Sequence, residues 1–181
     1  MHPVTGPTIL TIARMILAVV FAIFAMLPGR AANITALVLF LIAAITDKID
    51  GIWARRTHQV TDVGAFLDPL ADKMLTSLAF LILVYEDIVP LWVFAVILVR
   101  DLAVDGMRMS TAKSGITIAA SPLGKLKTTF QMLALVLFLL NQAVTSATLT
   151  VIANIILYIA LALTVISGFD YLIKGLAKAK K

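Results

Sequence analysis

Six mainly apolar stretches, each about 20 residues long, follow one another along this chain, and that spacing decides its fold class. They run over roughly 8–28, 33–54, 62–84, 89–109, 121–141 and 147–173. In hydrocarbon, every backbone N–H and C=O must be bonded within the chain, so runs of this length become helices. Composition agrees, since 61% of the 181 residues are hydrophobic and soluble domains lie nearer half. The expected architecture is all-α and integral to the membrane: one domain over 1–181 with six transmembrane helices. Pro28-Gly29, Glu86-Asp87 and Asn141-Gln142 mark three of the turns.

Charge sets the orientation. Arg55 and Arg56 fall between spans two and three. Arg108, Lys113, Lys125 and Lys127 fall between or beside spans four and five, and Lys174, Lys178, Lys180 and Lys181 follow span six. The opposite loops hold only Arg30, so both termini are expected on the cytoplasmic side of a multi-pass protein of the cell membrane. The excess of Lys+Arg over Asp+Glu, 15 against 10, then belongs to lipid headgroups and not to nucleic acid, for which no soluble module is present. With no cysteine, a disulfide framework and a thiolate metal site are both excluded. Arg14 interrupts the first apolar run and no small-residue cleavage site closes it, so that run reads as part of the mature protein.

Against this apolar background stand four aspartates: Asp47-x-x-Asp50-Gly51-x-x-Ala54-Arg55, eight residues, then Gly64-x-x-x-Asp68-x-x-x-Asp72. A carboxylate at membrane depth costs a few kcal/mol, so four at fixed spacing require a neutralising partner. Divalent cations that prefer oxygen ligands, magnesium or manganese, meet that requirement. On helices, Asp47, Asp50 and Ala54 share one face, as do Gly64, Asp68 and Asp72. The short link from Arg56 to Thr61 makes the two helices antiparallel neighbours, so the stripes can meet at one depth. Gly51, Ala54 and Gly64 leave room for a ligand, and Arg55 offers a planar fork suited to phosphate. Pro69 removes a backbone donor beside Asp68. One Asp-x-x-Asp pair alone would read as snorkelling or salt-bridged acids. Two pairs with small residues and an arginine do not.

These residues resemble the signature of the CDP-alcohol phosphatidyltransferase family, and every fixed position from Asp47 to Asp72 matches. The resemblance implies six transmembrane helices, a homodimer, and transfer of a phosphatidyl group from CDP-diacylglycerol to an alcohol with release of CMP. It also implies that Asp47, Asp50, Asp68 and Asp72 hold two divalent ions, with Asp72 the base toward the acceptor hydroxyl. Gly51, Ala54, Arg55, Thr61 and Gly64 fall on positions beside the CDP-diacylglycerol head. Near the N-terminus, Pro7-Thr8-Ile9-Leu10-Thr11-Ile12-Ala13-Arg14 departs from the usual pattern at Thr8, where asparagine is common. Thr11 and Arg14 match and are carried over as donor-lipid contacts.

Beyond the signature, Leu67 to Lys73, Arg100-Asp101 with Arg108, and Gly124-Lys125-Leu126-Lys127-Thr128 are similar to the branch that makes phosphatidylglycerophosphate from sn-glycerol 3-phosphate. A phosphorylated acceptor needs cations, and Arg100, Arg108, Lys125 and Lys127 are the candidates; each competes with a reading as a headgroup anchor. Arg100 has Asp101 and Asp105 nearby as orienters, whereas Lys125 and Lys127, two apart, cannot share a helix face. Ser121-Pro122 reads as a helix start whose amides could add to an anion site. Within the family, cardiolipin and phosphatidylinositol-phosphate synthesis remain open. Outside it stand a divalent-cation transporter, disfavoured because the acids cluster at one depth, and a membrane scaffold, which leaves Arg55 unexplained. His58, Trp53, Trp92, Lys48 and the lysine tail read as loop, interfacial or anchoring residues.

Overall fold

The computed structural model describes the backbone of residues 6–57, 62–113 and 121–179, with side chains over most of 10–46, 70–108 and 121–173. Among the described residues six helices form: α1 (Gly6–Ala25), α2 (Arg30–Thr57), α3 (Asp62–Tyr85), α4 (Leu91–Lys113), α5 (Pro122–Val144) and α6 (Ala147–Ala179). No strand occurs among the described residues. Two stretches of the described residues have the length and apolarity to cross a membrane, Pro122–Val144 and Ala147–Tyr171, and shorter apolar runs occupy Leu10–Ala25, Arg30–Thr46 and Lys73–Tyr85. Ile16, Ile23, Val99, Phe169 and Ile173 are each more than half exposed. So much outward apolar surface is unfavourable in water and natural in lipid.

The chain divides into two compact units. The first comprises Met1–Tyr85 with Leu139–Thr145. Its α1 buries Thr11, Arg14, Ala18, Phe21 and Ala25, a stripe spaced by three and four that packs against both α2 and α3. The answering stripes are Ala36, Phe40 and Ala43 on α2, and Ala71, Leu75, Ala79 and Ile82 on α3. Alanines at these positions let helix backbones approach closely. Phe21 and Phe40 fill the wider part, with ring centroids 5.4 Å apart. Gly29, at φ 111°, makes the turn into α2, a conformation L side chains rarely adopt. Asn33 donates from Nδ2 to the carbonyl of Gln142 at 2.9 Å, tying the start of α2 to the end of α5.

The second unit comprises Glu86–Phe138 with Ser146–Lys181. Here α4 packs against α6. The buried stripes are Val93, Ile97, Asp101 and Val104 on α4; Lys127, Gln131, Ala134 and Phe138 on α5; and Ala153, Leu157, Ala160, Thr164, Ser167 and Tyr171 on α6. Each follows helical spacing, and each carries polar members toward one end.

One expected turn moves. Asn141-Gln142 does not break the chain; α5 continues to Val144 and stops at Thr145, whose φ is 58°. Ala143 is buried, so packing carries the helix past two residues of indifferent propensity. The turns at Pro28-Gly29 and Glu86-Asp87 form where the sequence indicates.

Candidate active site

Both aspartate pairs lie on continuous helix. Asp47 and Asp50 belong to α2, Asp68 and Asp72 to α3, which runs unbroken through Pro69. Asp47 follows the first residue of α2 by 17 positions, and Asp68 precedes the last residue of α3 by 17. At 1.5 Å per residue, each lies about 25 Å from the far end of its helix. Positions 47, 50 and 54 continue the register of the buried stripe 36, 40 and 43, and positions 64 and 68 continue that of 71, 75, 79 and 82. The side chains of Asp47, Asp50, Gly51, Ala54, Arg55, Gly64, Asp68 and Asp72, and all of Thr61, lie outside the described residues.

The donor chemistry fits a hard divalent cation: four carboxylates, no nitrogen or sulfur ligand, and helical register that can bring the pairs to one level. Among the described residues, no group of three or more His, Cys, Asp or Glu side chains gathers that could hold a metal. Thr11 and Arg14 are 1% and 3% exposed on the α1 face that packs in this unit. An arginine so deep in an apolar helix requires polar company, since an unpaired buried charge would cost several kcal/mol.

The second unit gathers three of the four expected acceptor cations. Arg100, on α4, donates from Nη1 to Asp101 at 3.2 Å and from Nη2 to Ser167 Oγ at 2.8 Å. The Ser167 hydroxyl in turn donates a hydrogen bond to the carbonyl of Thr164 at 3.2 Å, which orients it to accept from Arg100. Lys127 Nζ reaches both Asp101 oxygens, at 2.5 and 2.6 Å. Arg108 donates from Nη2 to the Tyr171 hydroxyl and lies over its ring at 4.9 Å; Arg100 lies 5.8 Å from the same ring. Lys125 is exposed, so of the two lysines it is Lys127 that turns inward.

Ser121 is the N-cap of α5. Its Oγ accepts from Gly124 N–H at 3.1 Å, its carbonyl accepts from Lys125 N–H at 3.2 Å, and Pro122 occupies the first helical position. The helix start is where the sequence places it, but its amides are partly engaged: Ser121 N–H donates to Tyr171 Oη at 3.0 Å and Gly124 N–H to the cap.

Sequence reasoning missed the contribution of α6. Ser167, Gly168 and Tyr171 complete the cation cluster, and Gly168 does so by lacking a side chain: a Cβ there would stand 3.0 Å from Arg100 Cγ. The available signal was a polar and small stripe, Thr164, Ser167, Gly168 and Tyr171, at helical spacing within a strongly apolar helix.

The chain thus carries paired carboxylate positions on two consecutive helices of one unit, and two half-buried arginines with a buried lysine in the other. The chain belongs to the CDP-alcohol phosphatidyltransferase family, whose model matches residues 4–166. It is 39% identical to the CDP-diacylglycerol--glycerol-3-phosphate 3-phosphatidyltransferase of Bacillus subtilis, over 93% of this chain and 94% of that one. It is 39% identical to a probable phosphatidylglycerophosphate synthase of Mycobacterium tuberculosis, over 93% of this chain and 80% of that one. A Sodalis glossinidius protein bearing the same name as the Bacillus one is 38% identical, over 92% of each chain. The chain is therefore a transferase enzyme, and its apolar helices and family together point to a membrane protein.

Proposed function

We propose that this protein transfers the phosphatidyl group of CDP-diacylglycerol to sn-glycerol 3-phosphate, giving phosphatidylglycerophosphate and CMP. The observation that carries the reading is the complete signature from Asp47 to Asp72, borne on two consecutive helices in matching register. The names of the relatives in Bacillus subtilis and Sodalis glossinidius support the donor and the acceptor.

In this reading, Asp47, Asp50, Asp68 and Asp72 hold two magnesium or manganese ions. When bound, such a pair neutralises charge on the attacking and leaving oxygens of an in-line displacement. Asp72 takes the proton of the acceptor's hydroxyl. The oxygen so released forms a bond to the phosphatidyl phosphorus, and the bond from that phosphorus to the CMP oxygen breaks. Gly51, Ala54 and Gly64 give the donor head room, while Arg55 and Thr61, with Thr11 and Arg14, hold it. Arg100 and Arg108 bind the acceptor's phosphate, and Lys125 adds positive charge at the surface. Lys127 contributes through Asp101, which it neutralises and fixes. Phosphoryl transfer relies on such positioning and charge compensation more than on covalent help from the protein. The enzyme spans the cell membrane six times as a homodimer, with the site on the cytoplasmic side, where the water-soluble acceptor occurs.

Release of CMP is the readout. Purified protein given CDP-diacylglycerol and magnesium is expected to release CMP with sn-glycerol 3-phosphate in preference to phosphatidylglycerol or inositol phosphate. Preference for either of the others would overturn the acceptor. Asp72→Asn is expected to lower kcat by about a thousandfold or more while the protein stays folded, because both a metal ligand and the base are lost. Turnover like the wild type would remove Asp72 from that role.

A further inference from the structure

We propose that Tyr171 is a positioning residue that sets affinity for the acceptor by holding Arg108, and through its ring Arg100, in one arrangement. The inference rests on the reading of these two arginines as the acceptor-phosphate group. Tyr171 is 2% exposed and lies seven residues after Thr164 on the buried face of α6. Its hydroxyl oxygen accepts from two directions: from Arg108 Nη2 on α4 and from the backbone N–H of Ser121 at the start of α5. Its ring face lies under both guanidinium groups. One phenol thus joins α4, α5 and α6 where the cations gather.

A phenylalanine would satisfy the packing and retain both ring contacts. It would not orient a guanidinium. Arginine has five N–H donors on a long, flexible stem, so the direction of its fork depends on what holds it. Arg100 is held twice, by Asp101 and Ser167, and Gly168 keeps α6 low enough for its stem to pass. Arg108 is held by the Tyr171 hydroxyl, which accepts from its Nη2. Burying a hydroxyl on a membrane helix is unfavourable unless its bonds are made, and the two bonds that this oxygen accepts come from α4 and from the N-cap of α5. The helix closest to the C-terminus therefore acts as the platform on which the acceptor cations are set. None of its residues lies within the Asp47–Asp72 signature.

The test uses Tyr171→Phe and Gly168→Ala in the full chain, with CDP-diacylglycerol, magnesium and varied sn-glycerol 3-phosphate. In Tyr171→Phe the KM for the acceptor is expected to rise about tenfold, as for loss of a hydrogen bond to a charged group. The KM for CDP-diacylglycerol and kcat are expected to change by less than about twofold. Gly168→Ala, which displaces Arg100 without touching the phenol, is expected to move the same constant in the same direction. An unchanged acceptor KM in Tyr171→Phe, or an equal rise in both KM values, would overturn the proposal.

A second readout does not depend on the acceptor. Modification of Arg108 by phenylglyoxal, followed by mass spectrometry, is expected to be faster in Tyr171→Phe than in the wild type; an equal rate would also overturn it. Should the wild type itself fail to use sn-glycerol 3-phosphate, the acceptor reading has failed. The modification rate then still decides whether Tyr171 holds Arg108.

Discussion

Lys127 has a side chain only 4% exposed, and its Nζ hydrogen-bonds to both oxygens of Asp101, whose side chain is 7% exposed. Desolvating two such groups is expensive, and their mutual neutralisation offsets much of that cost. Lys127→Met would leave Asp101 buried with Arg100, 3.2 Å from one of its oxygens, as its other ion-pair partner. Removing one member of a buried pair costs about 3–5 kcal/mol, and the remaining contact to Arg100 puts this loss at the lower end. Thermal unfolding in detergent is expected to show that loss for Lys127→Met and to recover most of it in Asp101→Asn/Lys127→Met. Equal destabilisation of single and double variants would mean that the lysine matters for some other contact. In the sequence, Lys125 and Lys127 are interchangeable: they cannot share a face, and the apolar residues of α5 surround it too evenly to fix its phase. The phase comes from packing of Gln131, Ala134 and Phe138, which no local pattern states. Arg100 with Asp101 was legible, because a charge pair closing an apolar run has few other uses. The support from Ser167 and Tyr171 was not, since it comes from about 65 residues away across a helix contact.

Helices were the most readable level of this chain. Length and hydropathy determine them when every backbone group must be bonded internally, and caps then decide the ends. Ser121-Pro122 announces the start of α5 by chemistry, and the cap bonds form as that chemistry requires. The end of α5 shows the reverse case. Thr145 takes the left-handed conformation at the position where glycine is the common choice, and its N–H closes on the carbonyl of Asn141 at 2.7 Å. A β-branched residue at φ 58° is strained by about 1–2 kcal/mol relative to glycine. Part of that difference is offset because glycine has more freedom to lose on folding. Thr145→Gly is therefore expected to raise stability by about 0.5–1 kcal/mol without altering activity. Thermal unfolding at fixed detergent concentration measures it, and a destabilised variant would show that the threonine side chain makes a contact worth more than the strain. A turn expected at Asn141-Gln142 and found at Thr145 illustrates why ends are harder than middles. Turn residues mark where a chain can bend, whereas burial of Ala143 decides where it does.

At the scale of the molecule, the arrangement of charge makes a claim that stability and kinetics do not test. Six crossings, as proposed, would return the chain to the side on which it began, and the segments rich in lysine and arginine alternate along the sequence with segments nearly without them. In the proposed reaction the acceptor, sn-glycerol 3-phosphate, and the released CMP are charged, water-soluble and cytosolic, so a productive enzyme needs the aspartate ends of α2 and α3 on that side. The absence of cysteine makes the orientation directly measurable, because a single introduced thiol has no competitor. With His58→Cys, Thr145→Cys and Lys181→Cys in separate proteins, a membrane-impermeant maleimide applied to right-side-out vesicles is expected to label only Thr145→Cys. Inverted vesicles are expected to give the opposite pattern, with His58→Cys and Lys181→Cys labelled. Labelling of His58→Cys and Lys181→Cys from opposite sides would require an odd number of crossings between them and would contradict the six-span reading. Labelling of both from outside would keep six spans and invert them, leaving the paired carboxylates on the side away from the phosphorylated alcohol that they are proposed to join to the phosphatidyl group.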